Sequence, residues 1–209
     1  MTLWEVFVKG GPIMWPLFAC SIIALAIIIE RIFTLRPARI MPRELIEEVE
    51  RLIFIGRLGD VEQLLKRYSS PLCPIILTAV KNAGRSREII REYMEEAGAK
   101  EAYTMERYVD ILGIISAISP LLGFLGTITG VLTSFRIMGI EGSQSSQMLA
   151  TGISEALVTT VIGLAIAIPV YVCYRILIAR SDQMLMEMEM TSARVLEYLK
   201  GGEHEVQAE

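Results

Sequence analysis

Apolar positions gather into three long runs, over residues 12–29, 111–135 and 156–178, and the rest of the chain mixes apolar and charged residues. A bilayer core about 30 Å thick is crossed by a helix of about 20 apolar residues. Each run therefore predicts a transmembrane helix. The first is the shortest and stops at Glu30 and Arg31. It lacks the early positive charge and small-residue cleavage site of a secretory signal, which predicts a retained anchor.

Between the first two runs the pattern becomes amphipathic. Leu45, Val49, Leu52 and Ile53 recur at helical spacing, with Glu44, Glu47, Glu48 and Arg51 on the other faces. Gly56 and Gly59 punctuate this stretch. Residues 69–74 (SSPLCP) read as a break, followed by a short helix over 75–83 that ends near Gly84. Ser86 is placed to cap a helix that runs through a densely charged stretch to 135, with Arg91 and Glu95 as an i,i+4 pair. The third run also continues past Arg180, where Met184, Met188, Val195 and Leu199 keep a helical spacing, and residues 201–209 read as a polar, disordered tail. The predicted fold class is an all-α membrane protein with three transmembrane helices and long helical extensions.

Lysine and arginine orient these segments. One (Lys9) precedes the first run, fourteen lie within 30–110, and one (Arg136) lies in the second connection. Cytoplasmic flanks carry the excess of positive charge. The N-terminus (1–11) and the loop 136–155 are thus expected outside, and 30–110 and 179–209 in the cytoplasm. The 209-residue chain is 53% hydrophobic with a net charge of −4, and no basic run points to nucleic acid. Three cysteines without CxxC spacing and a single histidine, His204 in the tail, leave no metal or histidine-based site, and no cofactor is expected. No paired acids or Ser–Lys arrangement lie at depth, which argues against an intramembrane enzyme.

The second run is an expensive helix. Residues 119–130 (SPLLGFLGTITG) hold Pro120, Gly123, Gly126, Gly130 and two threonines. A helical Gly costs about 1 kcal/mol relative to Ala, and Pro about 3. Ser116, Gly123, Thr127, Gly130 and Ser134 fall close to one face, and Ala156, Thr160, Gly163 and Ala167 form a similar stripe in the third run. Small residues let membrane helices approach closely, and Pro120 is expected to bend its helix. The hydroxyls admit two readings, because a Thr in a span is also satisfied by its own i−4 carbonyl. If the second helix runs outward and the third back inward, Thr127 lies about 12 Å and Thr160 about 6 Å below the outer ends of their spans. Thr159 is an adjacent hydroxyl that the pattern does not separate from Thr160. Glu155 is expected to start the third helix, either as an acid at a helix N-terminus or as an acid at the outer mouth of an ion path.

The ionisable groups within these two runs are Tyr171, Cys173, Tyr174 and Arg175, all toward the inner end. Proton relays through membranes use a carboxylate or histidine at depth. A proton path here would need its titrating residue from a partner. The competing expectation is a non-conducting scaffold that organises partner helices.

The stretches SPLLGFLGTITGVLTSF and GISEALVTTVIGLAIAIPVYVCYRI, with Glu30-Arg31 after the first run and Ser70-Pro71-Leu72 later, resemble the MotA/TolQ/ExbB proton channel family. Three spans and an outside N-terminus are similar to its ExbB/TolQ branch. The resemblance implies a proton-driven motor stator in a bacterial inner membrane. It implies a ring of copies, usually a pentamer, around a one-span partner of the ExbD/TolR type that carries a membrane aspartate. Force would pass to a TonB-like or TolA-like protein. In the family pattern Thr127 and Thr160 match pore threonines, and Glu155 matches the acid before the third span.

Overall fold

A computed structural model describes residues 11–141 and 146–206, whose regular structure is entirely helical. The helices are α1 (Met14–Thr34), α2 (Pro37–Ile40), α3 (Arg43–Phe54), α4 (Leu58–Leu65), α5 (Leu72–Lys81), α6 (Arg87–Glu141) and α7 (Ser146–Val206). Three of them, α1, α6 and α7, contain segments long and apolar enough to cross a membrane.

The chain divides into two units, and both α6 and α7 contribute to each. One unit comprises residues 31–107 and the chain from 177 onward. Here α1 runs on past the charged pair that was expected to end it. Arg31 is buried and its guanidinium donates to the Met105 carbonyl at 3.3 Å, so the charge is held by a carbonyl instead of breaking the helix. In α3 the predicted face of Leu45, Val49, Leu52 and Ile53 is buried. The chain leaves α3 through Gly56 at φ +73°, with the Arg57 N–H on the Leu52 carbonyl (2.9 Å) and the Gly56 N–H on that of Ile53 (3.0 Å). A side chain would strain that left-handed position. α3 packs on α4, and α4 on α5.

Helix α5 starts at Leu72, three residues before the start expected from the pattern. The Ser70 hydroxyl accepts the Leu72 N–H at 3.2 Å and donates to the Ile40 carbonyl. Pro74 is no obstacle in the first turn, where a backbone N–H has no partner within the helix. Further along, Met184, Met188, Val195 and Leu199 of α7 are buried as their spacing predicts. Lys200 Nζ donates to the Ala83 carbonyl just beyond α5 (2.9 Å), and the Arg91–Glu95 pair forms at 2.7 Å. The tail expected from residue 201 is helical to Val206, because extending an existing helix needs no new nucleus.

The other unit comprises the chain up to residue 30 and residues 108–176. Up to residue 30, helix α1 buries Met14, Leu17 and Ala24 and exposes Phe18, Ile22, Leu25 and Ile29, the pattern of a helix with one packed stripe and an apolar outer face. α6 runs through Pro120 without a break in its helix, and α7 through Pro169.

α6 and α7 meet antiparallel through the small residues. A Cβ at Gly163 would stand 2.6 Å from the Ser119 carbonyl oxygen and 3.1 Å from Gly123 Cα, and one at Gly123 would stand 2.9 Å from the Thr159 carbonyl oxygen. Gly130 faces Ala156, Gly126 faces Thr159, Gly152 faces Ser134, and Gly113 lies under the Tyr174 ring. Each step back along α6 is matched to within about one residue by a step forward along α7, so one register holds over the whole contact. The segment expected as a connection, 136–155, is helical at both ends. Its flanks belong to α6 and α7, and only 142–145 lie outside the described residues. Gly152 reads as a loop residue in the sequence, yet it is a contact position. Glu155 therefore sits nine residues inside α7 and does not begin the third helix.

Two results follow for stability. Gly163→Ala drives a methyl into a backbone oxygen that cannot step aside, and should destabilise the detergent-solubilised protein by about 1–3 kcal/mol. Gly98→Ala, whose Cβ would meet only Ile75 Cδ1 at 3.8 Å, should stabilise it by about 0.5–1 kcal/mol through helix propensity. Thermal unfolding followed by circular dichroism separates the two signs.

Burial, partly countered by Lys100, raises the Glu101 carboxyl above its ordinary range. A raised carboxyl adds no penalty while it is protonated in both states, and stability is lost as pH climbs from the ordinary value through the raised one. Glu101→Gln should accordingly raise the melting temperature at pH 7 by about 1–2 °C. The gain should vanish below about pH 4; a gain that is equal at both pH values would show that charge burial is not its cause.

Candidate functional site

The α6–α7 contact places four hydroxyl and carbonyl groups together. Thr127 Oγ1 lies 3.1 Å from the Ala156 carbonyl oxygen and 3.4 Å from that of Gly123. Thr160 Oγ1 lies 3.1 Å from the Gly123 carbonyl oxygen, and the two threonine hydroxyls are hydrogen-bonded to each other. Gly123 makes this possible twice over, since its missing side chain admits the α7 backbone and its carbonyl lies within reach of both hydroxyls. Thr127 and Thr160, estimated from the sequence at different depths below their own span ends, are brought side by side by the antiparallel register.

The arrangement separates Thr160 from Thr159. Thr159 is only 1% exposed, packs where a Gly126 side chain would be, and donates to the Ala156 carbonyl at 2.5 Å. It fills the contact. Thr127 and Thr160 are half-buried and keep part of their surface open.

Other hydroxyls on these spans behave as ordinary helix residues. Ser116, Ser119, Ser134, Thr129 and Thr133 each donate to a carbonyl three or four residues back. Thr127 and Thr160, by contrast, reach across and join α6 to α7 through their side chains. The predicted packing residues Gly123, Gly126, Gly130, Gly163 and Ala167 occupy the contact or its buried stripe, whereas Pro120 is half-buried. Glu155 is half-buried, five residues from Thr160, or about 7.5 Å along the helix axis.

The chemistry open to this cluster is limited by its protons. Two hydroxyls bring two protons. One must lie between the two oxygens, which leaves a single proton for the Gly123 or Ala156 carbonyl. Lone pairs on the open sides remain to accept from a third group. The cluster is neutral, and it can position a titrating group but cannot itself carry a charge. No group of His, Cys, Asp or Glu among the described residues is arranged to hold a metal ion.

Two contacts escaped the sequence reading. Gly152–Ser134 and Gly113–Tyr174 lie at the two ends of the pairing, and Gly152, Gly113 and Tyr174 fall outside the stripes. Extending the antiparallel register outward from Gly123–Gly163 would have found both. Tyr174 also neighbours Tyr171, with ring centroids 6.3 Å apart.

Comparison with known proteins adds an independent line. The model of the MotA/TolQ/ExbB proton channel family matches residues 67–190, a range that includes the whole threonine cluster. The ExbB homologue of Methanothermobacter thermautotrophicus, described as a biopolymer transport protein, is 30% identical over 190 residues, covering 90% of this chain and 67% of that protein. The ExbB-like 3 protein of Synechocystis is 33% identical over 161 residues, covering 76% and 77%. The Tol-Pal system protein TolQ of Pseudomonas aeruginosa is 33% identical over 98 residues, covering 47% and 42%. With three span-length helices and matches of this extent, the chain is a multi-pass membrane protein and belongs to the MotA/TolQ/ExbB proton channel family, in its ExbB/TolQ branch.

Proposed function

We propose that this chain is a stator subunit of an inner-membrane, proton-driven motor, working with a one-span partner of the ExbD/TolR type in a TonB- or Tol-type system. Copies of the chain, five in the family's usual arrangement, would enclose the partner's membrane helices. A TonB-like or TolA-like protein would receive the force. The N-terminus and the α6–α7 connection would face the periplasm, and residues 30–110 and 179–209 the cytoplasm. The observation that carries this reading is the neutral Thr127–Thr160 pair in spans that contain no carboxylate between Glu155 and Asp182 or between Asp110 and Glu141.

In this mechanism the partner's aspartate is the group that titrates. When protonated it donates to the open lone pairs of the threonine pair. When ionised it needs a donor, and both threonine protons are already engaged, so it gains one only by opening the interhelical bonds. The two protonation states thus favour different packings of partner against ring, which couples proton arrival to a step. Neutral groups suit the task, because a fixed charge at the centre of a span costs about 2.5–3.5 kcal/mol. A proton moving through 100 mV supplies about 2.3 kcal/mol, enough to bias such a step. Glu155, in its part-buried place on α7, would gather protons at the outer mouth.

A scaffold reading has its own observation, namely that the threonine hydroxyls are satisfied within the chain. Flux decides between the two. Thr160→Val keeps the shape of the side chain and removes its hydroxyl; it should leave assembly with the partner intact and lower partner-dependent proton flux about tenfold, the effect of about 1.4 kcal/mol on a barrier. Thr159→Val, at the buried neighbour, should lower it far less. The readout is acidification of proteoliposomes that hold both proteins. Equal flux in Thr160→Val and the unaltered protein would remove the pair from the path, and assembly without uncoupler-sensitive flux in any form would favour the scaffold.

A further inference from the structure

The end of α1 carries a feature that neither the threonine cluster nor the packing of the helices uses. The last turn of α1 leaves Ile32 and Phe33 exposed, and the chain then turns through α2 into α3. Leu35 and Ile40 are buried at either side of this turn. The Ile40 carbonyl is held by the buried Ser70 hydroxyl, and the Met41 N–H by the Pro37 carbonyl (2.8 Å). Between the two buried anchors, residues 36–39 are exposed. Arg36 and Arg39 are therefore presented outward from a fixed backbone, with Arg43 at the start of α3 also exposed.

The charges on this face are open. No Asp or Glu occurs from Arg31 to Arg43, and among the described residues no ion pair involves Arg36, Arg39 or Arg43. The same unit provides the contrast, for Arg51, Arg57 and Arg91 each pair with an acid three or four residues away. The Arg36 guanidinium instead lies over the Phe33 ring, 4.8 Å from its centroid. That stacking holds a cation directly against the apolar end of the span.

We propose that this turn is a binding site for the headgroup of an anionic phospholipid. Its acyl chains would lie along Ile32 and Phe33, and its phosphate would sit between Arg36 and Arg39, with Arg43 adding to the field. A free phosphate ion could use the arginines but not the apolar half, and a zwitterionic lipid could use the apolar half but would gain little from three cations. Arginine suits a phosphate because its planar donors meet two oxygens at once. Each basic residue near an anionic membrane surface contributes about a fivefold preference. The proposal needs only the membrane-spanning reading of α1 and is independent of whether the threonine pair lies on a proton path.

The test uses the full chain in a mild detergent, titrated with phosphatidylglycerol or phosphatidylcholine of the same acyl chains, with bound lipid counted by native mass spectrometry. The unaltered protein should hold phosphatidylglycerol about tenfold or more in preference to phosphatidylcholine. Arg36→Gln with Arg39→Gln should bring the two lipids to within a few-fold of each other, and Arg57→Gln, in the same unit but paired with Asp60, should change nothing. The preference of the unaltered protein should also shrink in 0.5 M salt, which screens exposed charges; this arm needs no variant to fold. Equal binding of the two lipids, a preference that survives in the double variant or in high salt, or displacement of the lipid by millimolar inorganic phosphate would each overturn the assignment.

Discussion

α6 and α7 touch backbone to backbone at Gly123 and Gly163, and the rest of the membrane unit follows from that approach. Lipid tails are as apolar as leucine, so burying apolar surface gives membrane helices no reason to associate. What remains is dispersion between closely fitted atoms and the hydrogen bonds that proximity allows. Both need the axes to come near, and at this crossing a single methyl would collide with a carbonyl oxygen. The glycines thus weaken each helix alone and make the pair possible.

The same approach creates the hydroxyl cluster. At a wider separation Thr127 and Thr160 would each return to a carbonyl of their own helix, as Ser116, Ser119 and Ser134 do. Close contact puts the Gly123 and Ala156 carbonyls within reach from the opposite helix, and the two hydroxyls satisfy each other. A neutral, internally satisfied group can sit in a low-dielectric span at little cost. Its lone pairs still offer a firm place for a proton-bearing group from outside the chain. Packing and chemistry are consequently not separable here, because the residues that permit the crossing also build the site.

The unit of residues 31–107 and 177 onward follows different physics. There α3, α4 and α5 are short amphipathic helices that bury ordinary aliphatic faces, where the hydrophobic effect supplies the drive. Buried and half-buried polar groups act as fasteners between segments far apart in the chain. Arg31 reaches the Met105 carbonyl, Ser70 links the end of α2 to the start of α5, and Lys200 reaches Ala83. Ser70 also fixes the backbone that presents Arg36 and Arg39, so one buried hydroxyl organises both the internal packing and a charged outer face.

The chain by itself determined whatever repeats along a helix. The three apolar runs, the buried face of α3, the methionine-rich stripe of α7 and the small-residue faces of both spans are periodic, and periodicity survives without knowledge of neighbours. Helix ends were another matter. α5 begins early because Ser70, held by Ile40, caps it, and α7 is already helical ahead of Glu155, where Gly152 packs on Ser134; both contacts join residues distant in sequence. Thr159 and Thr160 are chemically equal neighbours about 100° apart on one helix, so only the position of α6 decides that the first fills space while the second meets Thr127. Local pattern determines which residues can face a partner, and the tertiary register determines which of them does, because a hydrogen bond requires a particular atom within about 3 Å and no single helix contains that distance.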